Sequence, residues 1–177
     1  MWLIATFPSR HYDIEQYPAV KKYLLEFGIE RLEQTGKTHI VNGKKIKARK
    51  KTNNKWFETQ DSIAYWEDFN KPKICWNRIA SVKEFSLVEG DIMISDSMHF
   101  IVGKELKYIC TILNSKIIQW LLSVLIGEAA GGNAGNAANV LDLPLIKDLS
   151  DIDDNSIYKA YKLNIAEMNF IESQYIR

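Results

Sequence analysis

Eight of the chain's 23 Lys and Arg residues fall within residues 37 to 55, KTHIVNGKKIKARKKTNNK, a stretch with no Asp or Glu. They are Lys37, Lys44, Lys45, Lys47, Arg49, Lys50, Lys51 and Lys55. Directly after them come Trp56, Phe57, Tyr65, Trp66 and Phe69. A dense cationic run that flows into aromatic residues suits one chemistry above others, contact with a nucleic-acid backbone. Each phosphate neutralised by Lys or Arg releases condensed counterions, so such a run supplies affinity. Phosphate contacts position a protein, and base edges are read by other groups. Arg49 is the candidate here for a bidentate guanine contact, because its planar fork matches the O6/N7 edge. Asn53, Asn54 and Gln60 are candidates for adenine edges. Trp56, beside Lys55, is the candidate for base stacking. Core packing is the expected role of most of the other aromatic residues, Trp76 included.

The rest of the chain is not basic. Its net charge is +1 over 177 residues. Residues 1 to 36 carry four basic and five acidic side chains, and residues 142 to 177 carry four and seven. The segregation of charge, more than the total, points to a nucleic-acid partner. Catalysis finds little support. No Asn-Pro or Asp-Pro dipeptide is present for an adenine methyltransferase motif, and no G-x-G-x-x-G follows a strand. Asp61, Glu67 and Asp68 read as surface charges, not as a nuclease cluster. The three histidines, His11, His39 and His99, lack ligand spacing. Cys75 and Cys110 have no CxxC partner, and both read as buried, reduced thiols of a cytoplasmic protein. The apolar stretch 109 to 126 is interrupted by Asn114, Ser115, Lys116 and Gln119, so it reads as a core helix and not a membrane span.

The elements that must hold the basic run follow from pattern. Residues 2 to 6 predict a short strand at the very start, as expected of a piece of a longer protein. A helix is predicted from a cap at Asp13 to Phe27, with Tyr17, Val20, Leu24 and Phe27 on one face and Gly28 as its stop. A short helix, IERLEQT, follows. Within the basic run, Asn42-Gly43 is the preferred pair for a two-residue hairpin turn, and a disordered loop is the alternative because like charges repel. Strands are predicted at 73 to 79, which carries the further candidate Arg78, and at 84 to 88, 91 to 95 and 98 to 102. Apolar residues then recur at helical spacing from Glu105 to Ile126. GEAAGGNAGNAAN, 127 to 139, has loop composition, and VLDLPLIK returns as an extended segment. From Asn155 onward Ile157, Tyr161, Ile165, Met168, Ile171 and Tyr175 recur at helical spacing, giving an amphipathic C-terminal helix that packs or serves as a connector. The expected class is α+β, one domain with a twisted antiparallel or mixed sheet and one long core helix. Residues 1–150 are assigned to recognition and 151–177 to the C-terminal helix.

RLEQTGK (31 to 37), KARKKTNNKWFETQD (47 to 61), FNKPKICW (69 to 76), MHFIVGKELKYICTILNSKIIQWL (98 to 121) and LPLIK (143 to 147) together resemble the TaqI-like C-terminal specificity domain. The resemblance implies a DNA target recognition domain of a bacterial restriction-modification or phage-defence enzyme. It implies double-stranded DNA as partner, no catalysis by this part, and no cofactor in this part. A methyltransferase or endonuclease domain in the same polypeptide, using AdoMet and Mg²⁺, is expected alongside it. Two features depart from the family pattern. The glycine-rich loop carries no Lys or Arg, so any DNA contact there falls to Asn133, Asn136, Asn139 and backbone amides. HIVNGKK is an insertion within the basic run. A protein-interaction module, or an RNA- or single-strand-binding module, are the competing readings.

Overall fold

The computed structural model describes residues 3–78, 84–126 and 140–175. The class is α+β, with two small antiparallel sheets and several short helices. Backbone contacts divide the chain into two compact units, Met1–Ala64 and Tyr65–Arg177.

In the first unit, the expected strand at the start is absent among the described residues, and Pro8–Arg10 form a single 3₁₀ turn. Residues 3 to 6 find no strand partner, and Thr6 is tied down where its carbonyl accepts the Thr59 amide at 3.0 Å. Asp13 does act as a cap, accepting from the Glu15 amide, but of a 3₁₀ turn over Ile14–Gln16. The regular helix, α1, begins at Pro18 and ends at Leu25. Of the four residues expected on one face, Val20 and Leu24 are half-buried in α1, while Tyr17 and Phe27 fall outside it and are 45% and 49% exposed. Gly28, at φ +85, separates α1 from the four-residue α2, Ile29–Leu32.

The Asn42-Gly43 pair forms the hairpin it predicts. Strands β1 (Thr38–Val41) and β2 (Lys44–Lys47) pair antiparallel, with Val41 opposite Lys44 and Thr38 opposite Lys47. Asn42 has φ +50 and Gly43 φ +75, the two left-handed positions that a tight primed turn requires.

In the second unit, β3 (Lys73–Asn77) lies between β4 (Ser86–Val88) and β5 (Met98–Ile101), all antiparallel. The alternation of a strand sends Ile74 and Trp76 into the hydrophobic core. Lys73 and Cys75 fall on the opposite face, where Cys75 pairs with Phe100 of β5. Phe100 in turn meets Phe69 at 5.1 Å and Tyr65 at 5.9 Å between ring centroids. Residues 91 to 95, expected as a strand, have no regular structure, and Asp91 has φ +65.

The expected long helix is two helices, α3 (Leu106–Leu113) and α4 (Lys116–Ile126). The break falls where polar side chains compete with the helical backbone. Asn114 Nδ2 donates to the carbonyls of Phe85, at 2.7 Å, and Cys110, at 3.0 Å, while its Oδ1 accepts the Phe85 amide at 3.1 Å. Ser115 Oγ donates to the Ile112 carbonyl at 2.6 Å. Asn114 thereby ties the start of β4 to the helical layer.

The C-terminal segment is likewise two helices, α5 (Asp154–Ala160) and α6 (Ile165–Ser173). Lys162, at φ +59, turns the chain between them, and Asn164 with Glu167 forms a capping box that starts α6. Ile157, Tyr158 and Ile171 enter the same core as Ile74, Ile112 and Ile118, so this segment packs. Tyr158 is 1% exposed and its hydroxyl donates to Glu172 at 2.9 Å. Among the described residues no helix is long and apolar enough to cross a membrane.

Candidate nucleic-acid interface

The basic run is built on two supports. One is the hairpin, which holds Lys44, Lys45 and Lys47 exposed on β2. The other is an irregular segment, 48 to 61, pinned against residues 32 to 37. Its main chain is tied at Ala48 N to Lys37 O (2.8 Å), Arg49 N to Glu33 O (3.0 Å) and Thr52 N to Gln34 O (3.0 Å).

Arg49 sits at the centre of this segment and faces inward. Its Nε and Nη2 both donate to the carbonyl of Leu32, at 2.8 and 2.6 Å. Nη1 donates to Glu58 O at 2.9 Å, and Nη2 also donates to Trp56 O. Four of a guanidinium's five N–H groups are therefore spent on main-chain carbonyls. Partial burial lowers its pKa from the ordinary arginine value, and arginine stays charged regardless. The fork that a bidentate guanine contact at Arg49 would use is engaged with the protein's own loop.

A second inward group is Gln34, which is 5% exposed. Its Nε2 donates to Lys55 O (2.9 Å) and Glu58 O (2.8 Å), and its Oε1 accepts from the Thr52 hydroxyl (2.6 Å). Glu58, also buried, accepts the Lys55 amide at 2.7 Å. Gln34, Thr52 and Glu58 do not figure among the sequence candidates. Their partners lie up to 24 residues away, and no local pattern marks them.

The remaining candidates divide by what their donors do. Asn54 Nδ2 donates to Thr59 O at 2.9 Å and Gln60 O at 3.1 Å. Both amide hydrogens that an adenine contact would use are engaged within the protein. Asn53 is exposed, and Gln60 is half-buried. Lys50 pairs with Asp61 at 2.9 Å in open solvent, with side chains 63% and 80% exposed, the kind of pair that is worth little and that a phosphate readily displaces. Lys51 is exposed. Lys55 Nζ lies 5.6 Å from the Phe57 ring centroid and 3.4 Å from Tyr12 O. Trp56 is half-buried and meets Phe57 edge-on at 5.6 Å, while Phe57 itself is buried. Arg78 belongs to the second unit, where Nη1 donates to Asp96 O at 3.0 Å. Asn133 and Asn136, with the rest of the 127 to 139 loop, lie outside the described residues. Trp76 is a core residue, 1% exposed. Among the described residues no group of three or more His, Cys, Asp or Glu could hold a metal ion.

A sequence model of the TaqI-like C-terminal specificity domain matches residues 12–134. The chain belongs to this family. No curated protein matches it. The TaqI-like specificity domain serves DNA recognition in restriction-modification enzymes and is not catalytic in itself. The matched span takes in the hairpin, the Arg49 clamp, the three-stranded sheet, and α3 and α4.

Proposed function

We propose that this TaqI-like domain recognises double-stranded DNA sequence-specifically for a bacterial type II restriction-modification enzyme. A methyltransferase or nuclease domain in the same polypeptide, supplied with AdoMet and Mg²⁺, carries the chemistry, in the cytoplasm. Residues 1–150 carry recognition, and the C-terminal segment, residues 151–177, braces the helical layer. The observation that carries this reading is the exposed cationic hairpin, free of acids, in a chain of this family. The phosphate contacts fall to Lys44, Lys45, Lys47, Lys50 and Lys51, with Lys55 at their edge. Asn53 and Gln60 remain as polar contacts at the rim.

Binding of the 177-residue chain to a mixed-sequence duplex, titrated with salt, tests the proposal. With three to four of these lysines on phosphate at one time, the slope of log K against log salt is roughly −3 to −4. A slope near zero, or no binding at low salt, sinks it. An excess of single strand that displaces the duplex would instead assign the site to single-stranded nucleic acid.

A further inference from the structure

A two-stranded ribbon has two faces, and a period of two distributes its side chains between them. In the hairpin, His39, Val41 and Ile46 are half-buried on one face. The other face carries Thr38 and Ile40 from β1 and Lys45 and Lys47 from β2. The register sets Ile40 directly opposite Lys45, and Thr38 opposite Lys47. All four are exposed, Ile40 to 74%.

A single exposed isoleucine means little by itself. The composition of the whole face gives it meaning: one aliphatic side chain, one hydroxyl that also carries a methyl, and two ammonium groups. This set matches what the DNA major groove presents. The phosphates along its walls attract the two ammonium groups, a hydroxyl serves either donors or acceptors on base edges, and thymine alone offers a methyl group for apolar contact. The major groove is also wide enough to admit a two-stranded ribbon. The absence of any acid from residues 37 to 55 removes the repulsion that would keep such a ribbon out. Arg49 and Asn54 have spent their donors inside the protein, so base reading has to come from elsewhere.

We propose that the face formed by Thr38, Ile40, Lys45 and Lys47 lies in the major groove, with Ile40 packed on the 5-methyl group of a thymine. The hairpin then reads sequence as well as anchoring the backbone. This inference rests on the duplex-DNA reading above and has its own failure mode.

The full chain selects its preferred sites from a pool of random-sequence duplexes at low salt. The enriched duplex is then remade with deoxyuridine for thymidine, one position at a time, which removes a methyl and leaves charge and pairing unchanged. At one position the wild type is expected to bind about fourfold more weakly, the effect of one methyl no longer buried. Ile40→Ala is expected to bind the thymine and uracil forms of that position alike. Because Ile40 is exposed, that variant should keep the wild-type circular dichroism and salt slope. A wild type indifferent to uracil everywhere, or an Ile40→Ala variant that keeps the uracil penalty, overturns the inference while the salt slope upholds DNA binding. A bound pool with no enriched sequence does the same. Failure to bind any duplex at low salt overturns both readings.

Discussion

The guanidinium of Arg49 donates to the main-chain carbonyl of Leu32 twice, through Nε at 2.8 Å and Nη2 at 2.6 Å. The residues are 17 apart, and the bonds close the basic segment onto the end of α2. With Trp56 O and Glu58 O held by the same group, one side chain fixes the path of the loop that presents the lysines.

Arg49→Ala should therefore destabilise the first unit, by about 3 kcal/mol, the scale expected when charged hydrogen bonds are removed and their carbonyl partners are left unsatisfied. Arg49→Lys should cost nearly as much, since an ammonium cannot span the same fork. Urea melts measure both. A base-reading role predicts the opposite pattern, wild-type stability with altered sequence preference.

Lys44, Lys45 and Lys47 are exposed on β2, with their ammonium groups free to meet solvent or phosphate. Replacing all three by Ala should leave the melting curve unchanged. It should flatten the salt slope by about 2 to 3, close to one unit for each phosphate no longer neutralised. Duplexes of every sequence should lose the phosphate part of their affinity together. An unchanged slope would place the phosphate-binding groups elsewhere in the chain.

Lys73, on the central strand β3, is 0% exposed, and its Nζ has no hydrogen-bond partner among the described residues. An ammonium without a partner is costly to bury. Lys73→Met keeps an unbranched side chain of similar volume, one atom shorter, and removes the charge, and should raise stability in a urea melt by about 1–3 kcal/mol. A fall in stability instead would reveal that the ammonium is paired.

Glu172 accepts from Lys116 Nζ and from the Tyr158 hydroxyl. The bond from Lys116, first, and then that from Tyr158 hold its carboxyl below the ordinary glutamate value of 4.5. Burial, and after it the bond to Glu172, raises the Tyr158 phenol above its usual value. A carboxyl with a depressed folded pKa stabilises the fold above its unfolded pKa. That contribution disappears as pH falls through the lower, folded one. Thermal melts of the wild type should therefore lose ground below about pH 4.5 that Glu172→Gln never had. Near neutral pH the variant should melt lower, and the two curves should converge toward acid.

The features legible in the sequence are those written in short-range pattern. Asn42-Gly43 forms its hairpin because two adjacent residues that tolerate positive φ suffice to turn a ribbon. The acid-free run remains an exposed cationic surface because like charges cannot be buried together without partners. The family resemblance on residues 31 to 147 agrees with the match over 12–134. Periodicity located the helical stretches and misjudged their continuity. Leu106 to Leu122 keep an apolar face across Asn114 and Ser115, so the pattern runs on where the backbone does not.

Where the charge lies, where the ribbon turns, and which class of domain carries them all follow from the order of the amino acids. Which polar groups are left to meet a ligand does not, and the packed fold settles it. Arg49, Asn54 and Gln34 have the donors for base edges, but carbonyls 5 to 24 residues away consume them. A hydrogen-bond donor is committed by the geometry of its neighbours and not by its type. The exposed face of the hairpin, with Thr38, Ile40, Lys45 and Lys47, therefore becomes visible only once the strands are in register and the inward partners are filled.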